Sequence, residues 1–126
     1  MKPLLALVVD DSILVRSAIK EIIKLCGGFV IFEASNGQIA VDTYKDVRPD
    51  LVFLDIVMPI RDGIDALIEI KAFDPQATVV IVSAVATHSQ VKRAVQAGAS
   101  DFVQKPWEQS RIISIVEKVK EKKRGM

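Results

Sequence analysis

The stretch Leu4-Leu5-Ala6-Leu7-Val8-Val9-Asp10-Asp11-Ser12 decides the fold. Six apolar residues in a row run straight into two carboxylates and a hydroxyl. A strand that alternates apolar and polar residues buries one face. A strand apolar at every position is buried on both, as in a parallel sheet covered by helices. Such runs recur at residues 29–32, 51–54 and 79–82, with a weaker one at 101–104.

Helical patterns lie between the runs. Ser12 is placed to cap a helix with Val15, Ala18, Ile19, Ile22 and Cys26 on one face and Gly27 at its end. Cys26 then reads as a small core residue. Asn36 caps a second helix through Ala40, Tyr44 and Val47, closed by Pro49. Asp62 caps a third through Leu67 and Ile70, ending before Pro75. Thr87 caps a fourth through Val91, Ala94 and Val95, stopped by Gly98. Ser110 precedes a fifth, with Ile112, Ile113, Val116 and Val119 inward. Five successive (βα) units predict a five-stranded, doubly wound parallel α/β sheet.

Composition narrows the chemistry. The 126 residues carry 17 Lys+Arg against 16 Asp+Glu, a net charge of +1, which argues against nucleic-acid binding by bulk charge. One cysteine (Cys26) and one histidine (His88) exclude a disulfide framework and make a Cys/His zinc site implausible. No stretch approaches the ~20 apolar residues of a membrane span. The apolar start runs into Asp10-Asp11 without a small-residue cleavage site, so it is not a signal peptide, and the expected location is cytoplasmic. The sequence is expected to form a single domain, 1–126, with its core at about 4–120 and a basic tail at 121–126.

In open α/β sheets, sites form beyond the carboxyl ends of the strands, where strand order reverses. The residues delivered there are Asp10-Asp11-Ser12 after the first strand, Asp55 after the third, Ser83 at the end of the fourth and Lys105-Pro106 after the fifth. Two carboxylates ~4 Å apart repel by about 4 kcal/mol at an effective dielectric of 20. Lys105 offsets one of the three aspartates, and a divalent cation would balance the remainder. With oxygen donors and no Cys or His at the rim, the expected ion is Mg²⁺. The alternative is a protonated carboxylate and no metal. A hard cation beside a lysine and a serine suits phosphoryl transfer onto a carboxylate, and Asp55, on the central strand, is the best-placed nucleophile. No G-x-x-x-x-G-K-[ST] or G-x-G-x-x-G segment supports nucleotide binding, so the donor is expected to be a phosphoprotein or a small phosphodonor. Gly27-Gly28 reads as a turn.

The set Val9-Asp10-Asp11-Ser12, Leu54-Asp55-Ile56-Val57-Met58-Pro59, Asp62-Gly63, Ser83-Ala84, Gly98-Ala99-Ser100-Asp101-Phe102 and Lys105-Pro106 resembles the receiver domain of two-component response regulators, especially the stand-alone CheY-like type. The resemblance implies a flavodoxin-like sheet of order 2-1-3-4-5. It implies that Asp55 accepts a phosphoryl group from the phosphohistidine of a sensor histidine kinase. Asp11, Asp55 and the Val57 carbonyl would ligate Mg²⁺, with Asp10 joining through water. Lys105, before a cis bond to Pro106, would pair with the phosphoryl group. Ser83 would swing to hydrogen-bond it, and Phe102 would turn inward behind. The switch would be read by a protein target on the face of the fourth helix, fifth strand and fifth helix. The resemblance also implies no turnover enzyme, no nucleic-acid or membrane partner, and a monomer or a phosphorylation-dependent dimer.

Some residues depart from the pattern. Phe102 replaces a frequent tyrosine, Trp107 a smaller aromatic, and Arg61 an apolar residue at the kinase-facing rim. His88 is expected to face solvent. Val57 and Val85 offer no polar group to orient hydrolytic water, so slow autodephosphorylation is expected, with a partner phosphatase as one route of removal. Three rival readings stay open at this level. One is a metal-dependent phosphohydrolase, another a receiver that binds partners without phosphorylation. The third is a receiver portion of a longer regulator or phosphorelay intermediate.

Overall fold

A computed structural model describes residues 2–84 and 87–124. Five strands, β1 (Leu4–Val9), β2 (Phe29–Ala34), β3 (Leu51–Leu54), β4 (Val79–Ser83) and β5 (Asp101–Gln104), alternate with five helices. These are α1 (Ile13–Cys26), α2 (Gly37–Val47), α3 (Gly63–Phe73), α4 (His88–Gln96) and α5 (Gln109–Arg124). All strand pairs are parallel and the order is β2-β1-β3-β4-β5, as the resemblance implied.

The alternation of side chains along each strand divides the core into two layers. Leu7, Val9, Val52, Leu54 and Ile81 face one way, onto Ala40, Val41, Ile64, Leu67 and Ala94 of α2, α3 and α4. Ala6, Val8, Leu51, Phe53 and Val82 face the other, onto Ile19, Ile23, Ile112 and Val116 of α1 and α5. A continuous apolar strand is therefore two half-strands of core, one per layer.

The caps hold as read. Ser12, Asn36, Asp62 and Thr87 side chains accept from the backbone N–H three residues on, at 3.3, 2.9, 2.9 and 3.2 Å. Gly27 and Gly28 take φ of 71° and 87°, and the Gly28 carbonyl accepts from Leu4 N–H at 2.9 Å, closing the turn before β2. Cys26 is partly buried against the α1/α5 layer, and Trp107 packs there too.

Four local expectations are corrected. β2 extends to Ala34 and is a sheet edge, so Val30 is 45% exposed and the strand is not buried on both faces. Ala18 is exposed, because the stripe that meets the sheet is Ile19, Ile22 and Ile23. Val95 lies at 62% exposure because Ala94 supplies the buried side of α4. Ser110 lies inside α5 rather than before it, since the Arg111 N–H already donates to the Glu108 carbonyl at 3.0 Å, and Ile115 joins the inward set. Residues 121–124 continue α5, while 125–126 and Val85 lie outside the described residues.

Candidate functional site

Sheet register builds the site. Val9 stands opposite both Ala34 and Leu54, so the next residues in β1 and β3, Asp10 and Asp55, emerge side by side. The ladder continues one step past the strands: Asp55 N–H donates to the Val9 carbonyl at 3.1 Å, and Asp10 N–H to the Ala34 carbonyl at 3.1 Å. Lys105 N–H donates to the Ser83 carbonyl at 2.9 Å, which aligns the ends of β4 and β5 on the same rim. β1 and β3 flank the point where strand order reverses.

The side chains converge. One carboxylate oxygen each from Asp10, Asp11 and Asp55 lies within 4.8 Å of the others. Asp10 is 2% and Asp55 5% exposed, whereas Asp11 is open to solvent. Lys105 Nζ lies 2.6 Å from Asp10 Oδ2 and 3.5 Å from Asp55 Oδ2. The other Asp10 oxygen accepts from Ser12 N–H at 2.9 Å, so both its oxygens have protein partners. The fully buried Ser83 hydrogen-bonds the Asp55 carboxylate. The Lys105–Pro106 bond is cis.

Burial pushes the Asp55 carboxyl up from its ordinary range. Lys105 opposes that shift, neighbouring Asp10 adds to it, and the hydrogen bonds from Ser83 and the Ile56 backbone oppose it. One ammonium thus leaves the buried carboxylates under-compensated. An all-oxygen donor set with excess negative charge fits a hard divalent cation.

Sequence reasoning missed several supports. Arg16 donates to the Asp10 carbonyl at 2.7 Å and pairs with Glu33 at 3.0 Å, bracing the end of β1 from α1. Nothing in the local pattern of α1 distinguishes Arg16 from a solvated cation. Gly63 is tied by its N–H to the Ile56 carbonyl at 2.7 Å, and a Cβ there would collide with the Asp55 carbonyl. The Asp62-Gly63 pair was a visible signal for a cap, but not for this close approach. Phe102 is half-buried against the α2/α3/α4 layer, His88 is exposed, and Val57 is 58% exposed at the rim.

Residues 6–117 match the model of the response regulator receiver domain. The chain is 43% identical over 113 residues to the chemotaxis protein CheY of Thermotoga maritima, covering 90% of this chain and 94% of that one. It is 46% identical over 112 residues to CheY of Bacillus subtilis, covering 89% and 93%. A solved CheX–CheY–BeF3–Mg²⁺ complex from Borrelia burgdorferi superposes with a TM-score of 0.86 at 36% identity, covering 93% of this chain and 89% of that one. The chain belongs to the response regulator receiver domain family.

Proposed function

We propose that this protein is a phosphorylation-switched signalling domain whose phosphoacceptor is Asp55. The observation that carries the reading is the convergence of Asp10, Asp11, Asp55 and Lys105 at the reversal of strand order. In the step, an Asp55 carboxylate oxygen attacks phosphorus as the P–N bond of a kinase phosphohistidine breaks. The imidazole leaves with the electron pair and takes a proton from solvent. Asp11, Asp55 and the Val57 carbonyl would hold Mg²⁺, which when bound would supply charge neutralisation at the transferring oxygens. Asp10 serves through water, a role supported by its two oxygens already being engaged.

Lys105 balances the added charge, and Ser83 is within reach to hydrogen-bond the phosphoryl group in place of the Asp55 carboxylate. Full switching from 1:99 to 99:1 needs about 5.5 kcal/mol of preference for the active state. Ser83 and Lys105 supply part of it, with Phe102 turning inward behind. A target protein on the α4–β5–α5 face supplies the remainder. The product is a persistent acyl phosphate, not a released one, because exposed Val57 carries no group to orient water. Among the described residues no helix is long and apolar enough to cross a membrane. A cytoplasmic receiver serving a histidine kinase, in chemotaxis or a related pathway, is the reading we adopt.

Incubated with acetyl phosphate and Mg²⁺, the protein should gain one phosphoryl group and Asp55→Asn none. Catalytic release of phosphate from a phosphate ester over many turnovers would instead support a phosphohydrolase.

A further inference from the structure

The segment after β3 that carries Val57 is held by a residue outside the acidic cluster. Its turn is unfavourable by itself: Ile60 is a β-branched residue at φ 70°, and the Arg61 N–H donates to the Pro59 carbonyl two residues back at 2.7 Å. A three-residue turn with positive φ is rare and strained, the more so at a β-branched position. The Ile60 side chain, 83% exposed, contributes no packing to offset this.

Arg61 supplies the restraint from both its backbone and its side chain. Its carbonyl accepts from Gly37 N–H at 3.2 Å, at the first turn of α2, and a Cβ on Gly37 would collide with that carbonyl. Its guanidinium pairs with Glu69 of α3 at 2.7 Å and reaches Gln38 of α2 at 3.3 Å. Glu69 is fixed in turn by Lys45 of α2 at 2.8 Å. Lys45 and Arg61 together hold the Glu69 carboxyl below its ordinary range, so the pair survives through the neutral and mildly acidic range.

We propose that Arg61 is a positioning residue for the cation site: it pins the strained segment from Ile56 to Asp62 onto α2 and α3, and so fixes where that segment presents Val57 to Asp11 and Asp55. The proposal rests on the reading above that these groups hold Mg²⁺.

The test uses the full chain, with Mg²⁺ affinity read by calorimetry and by Trp107 fluorescence, and with amide exchange over residues 56–62. Arg61→Ala should weaken Mg²⁺ binding about tenfold, the lower end of the effect of groups behind metal ligands, and speed exchange at Val57, Ile60 and Arg61. Glu69→Gln should move both readouts in the same direction, and Arg61→Lys should recover part of the loss. Raising Mg²⁺ should restore the phosphorylation rate of Arg61→Ala, an effect on apparent affinity rather than on the chemical step. Tyr44→Phe, which loosens the far end of the α2–α3 contact, should bind Mg²⁺ as the wild type does. Affinity within twofold of wild type in Arg61→Ala, or equal weakening in Tyr44→Phe, would overturn the proposal while leaving the phosphoacceptor reading intact. Absence of Mg²⁺ binding by the wild type would overturn both.

Discussion

Asp55 sits between opposing influences: burial raises its carboxyl, and Lys105, Ser83 and the Ile56 backbone draw it back. A nearly enclosed carboxyl whose titration is set by burial against a neighbouring cation is the kind of perturbed group that marks a functional site rather than a passive core acid. On the proposed reading, Val57, two residues on, would set the lifetime of the product. Val57→Asn should accelerate loss of the phosphoryl group by up to about 10²-fold, the low end of what a placed polar group contributes to proton transfer; an unchanged decay rate would discard the role given to that side chain.

Away from the site, Tyr44 O–H donates to Asp74 Oδ2 at 2.7 Å. That bond holds the Asp74 carboxyl below its ordinary range, and burial, with the same bond second, raises the Tyr44 phenol. Asp74 therefore contributes stability above about pH 4 that fades as pH falls through its folded-state value. Tyr44 contributes below about pH 10, and that contribution fades as pH rises through its raised value. Tyr44→Phe should cost about 1 kcal/mol at neutral pH, and urea titrations should show the gap from wild type narrowing in acid.

At the scale of elements, the site is a product of strand ends and the turns that leave them. The turn after β3 returns so closely that Gly63 lies against the Asp55 carbonyl and the Ile56 backbone, where rigid neighbours cannot yield to a Cβ. Gly63→Ala should destabilise the fold by about 1–3 kcal/mol, the usual range for overpacking, and weaken Mg²⁺ binding as well. Equal urea midpoints for the two proteins would refute the close approach. Strand and helix identities were legible because the apolar runs are long and four of the five helices begin at a side-chain cap. The exposure of Val30 was not, because β2's place at the sheet edge follows from strand order, which residue pattern does not encode. Ala18 and Val95 were misplaced for a related reason: periodicity gives the apolar face of a helix, and the neighbouring elements decide how much of that face is covered. The acidic rim was legible because Asp10 and Asp55 directly follow strands and Asp11 comes next; the Arg16 brace and the Arg61 clamp were not, because each also reaches a partner distant in sequence, Glu33 and Gln38.

For the whole molecule, a near-neutral total conceals a concentrated negative site. Three aspartates and one lysine share one end of the sheet, so a divalent ion that binds the folded chain and not the unfolded one should stabilise it. At ten times its Kd, Mg²⁺ should add about 1.4 kcal/mol, seen as a raised urea midpoint that Asp11→Asn largely abolishes. The same end of the sheet carries Ser83 at the end of β4, ahead of α4, so on the proposed reading a charge placed on Asp55 would act where the α4–β5–α5 face begins. The most direct test of the central claim is to locate the modification. After reaction with acetyl phosphate and Mg²⁺, peptide mapping by tandem mass spectrometry should place a single phosphoryl group on Asp55. An unmodified but folded protein, or a phosphoryl group on a different side chain, would contradict the account.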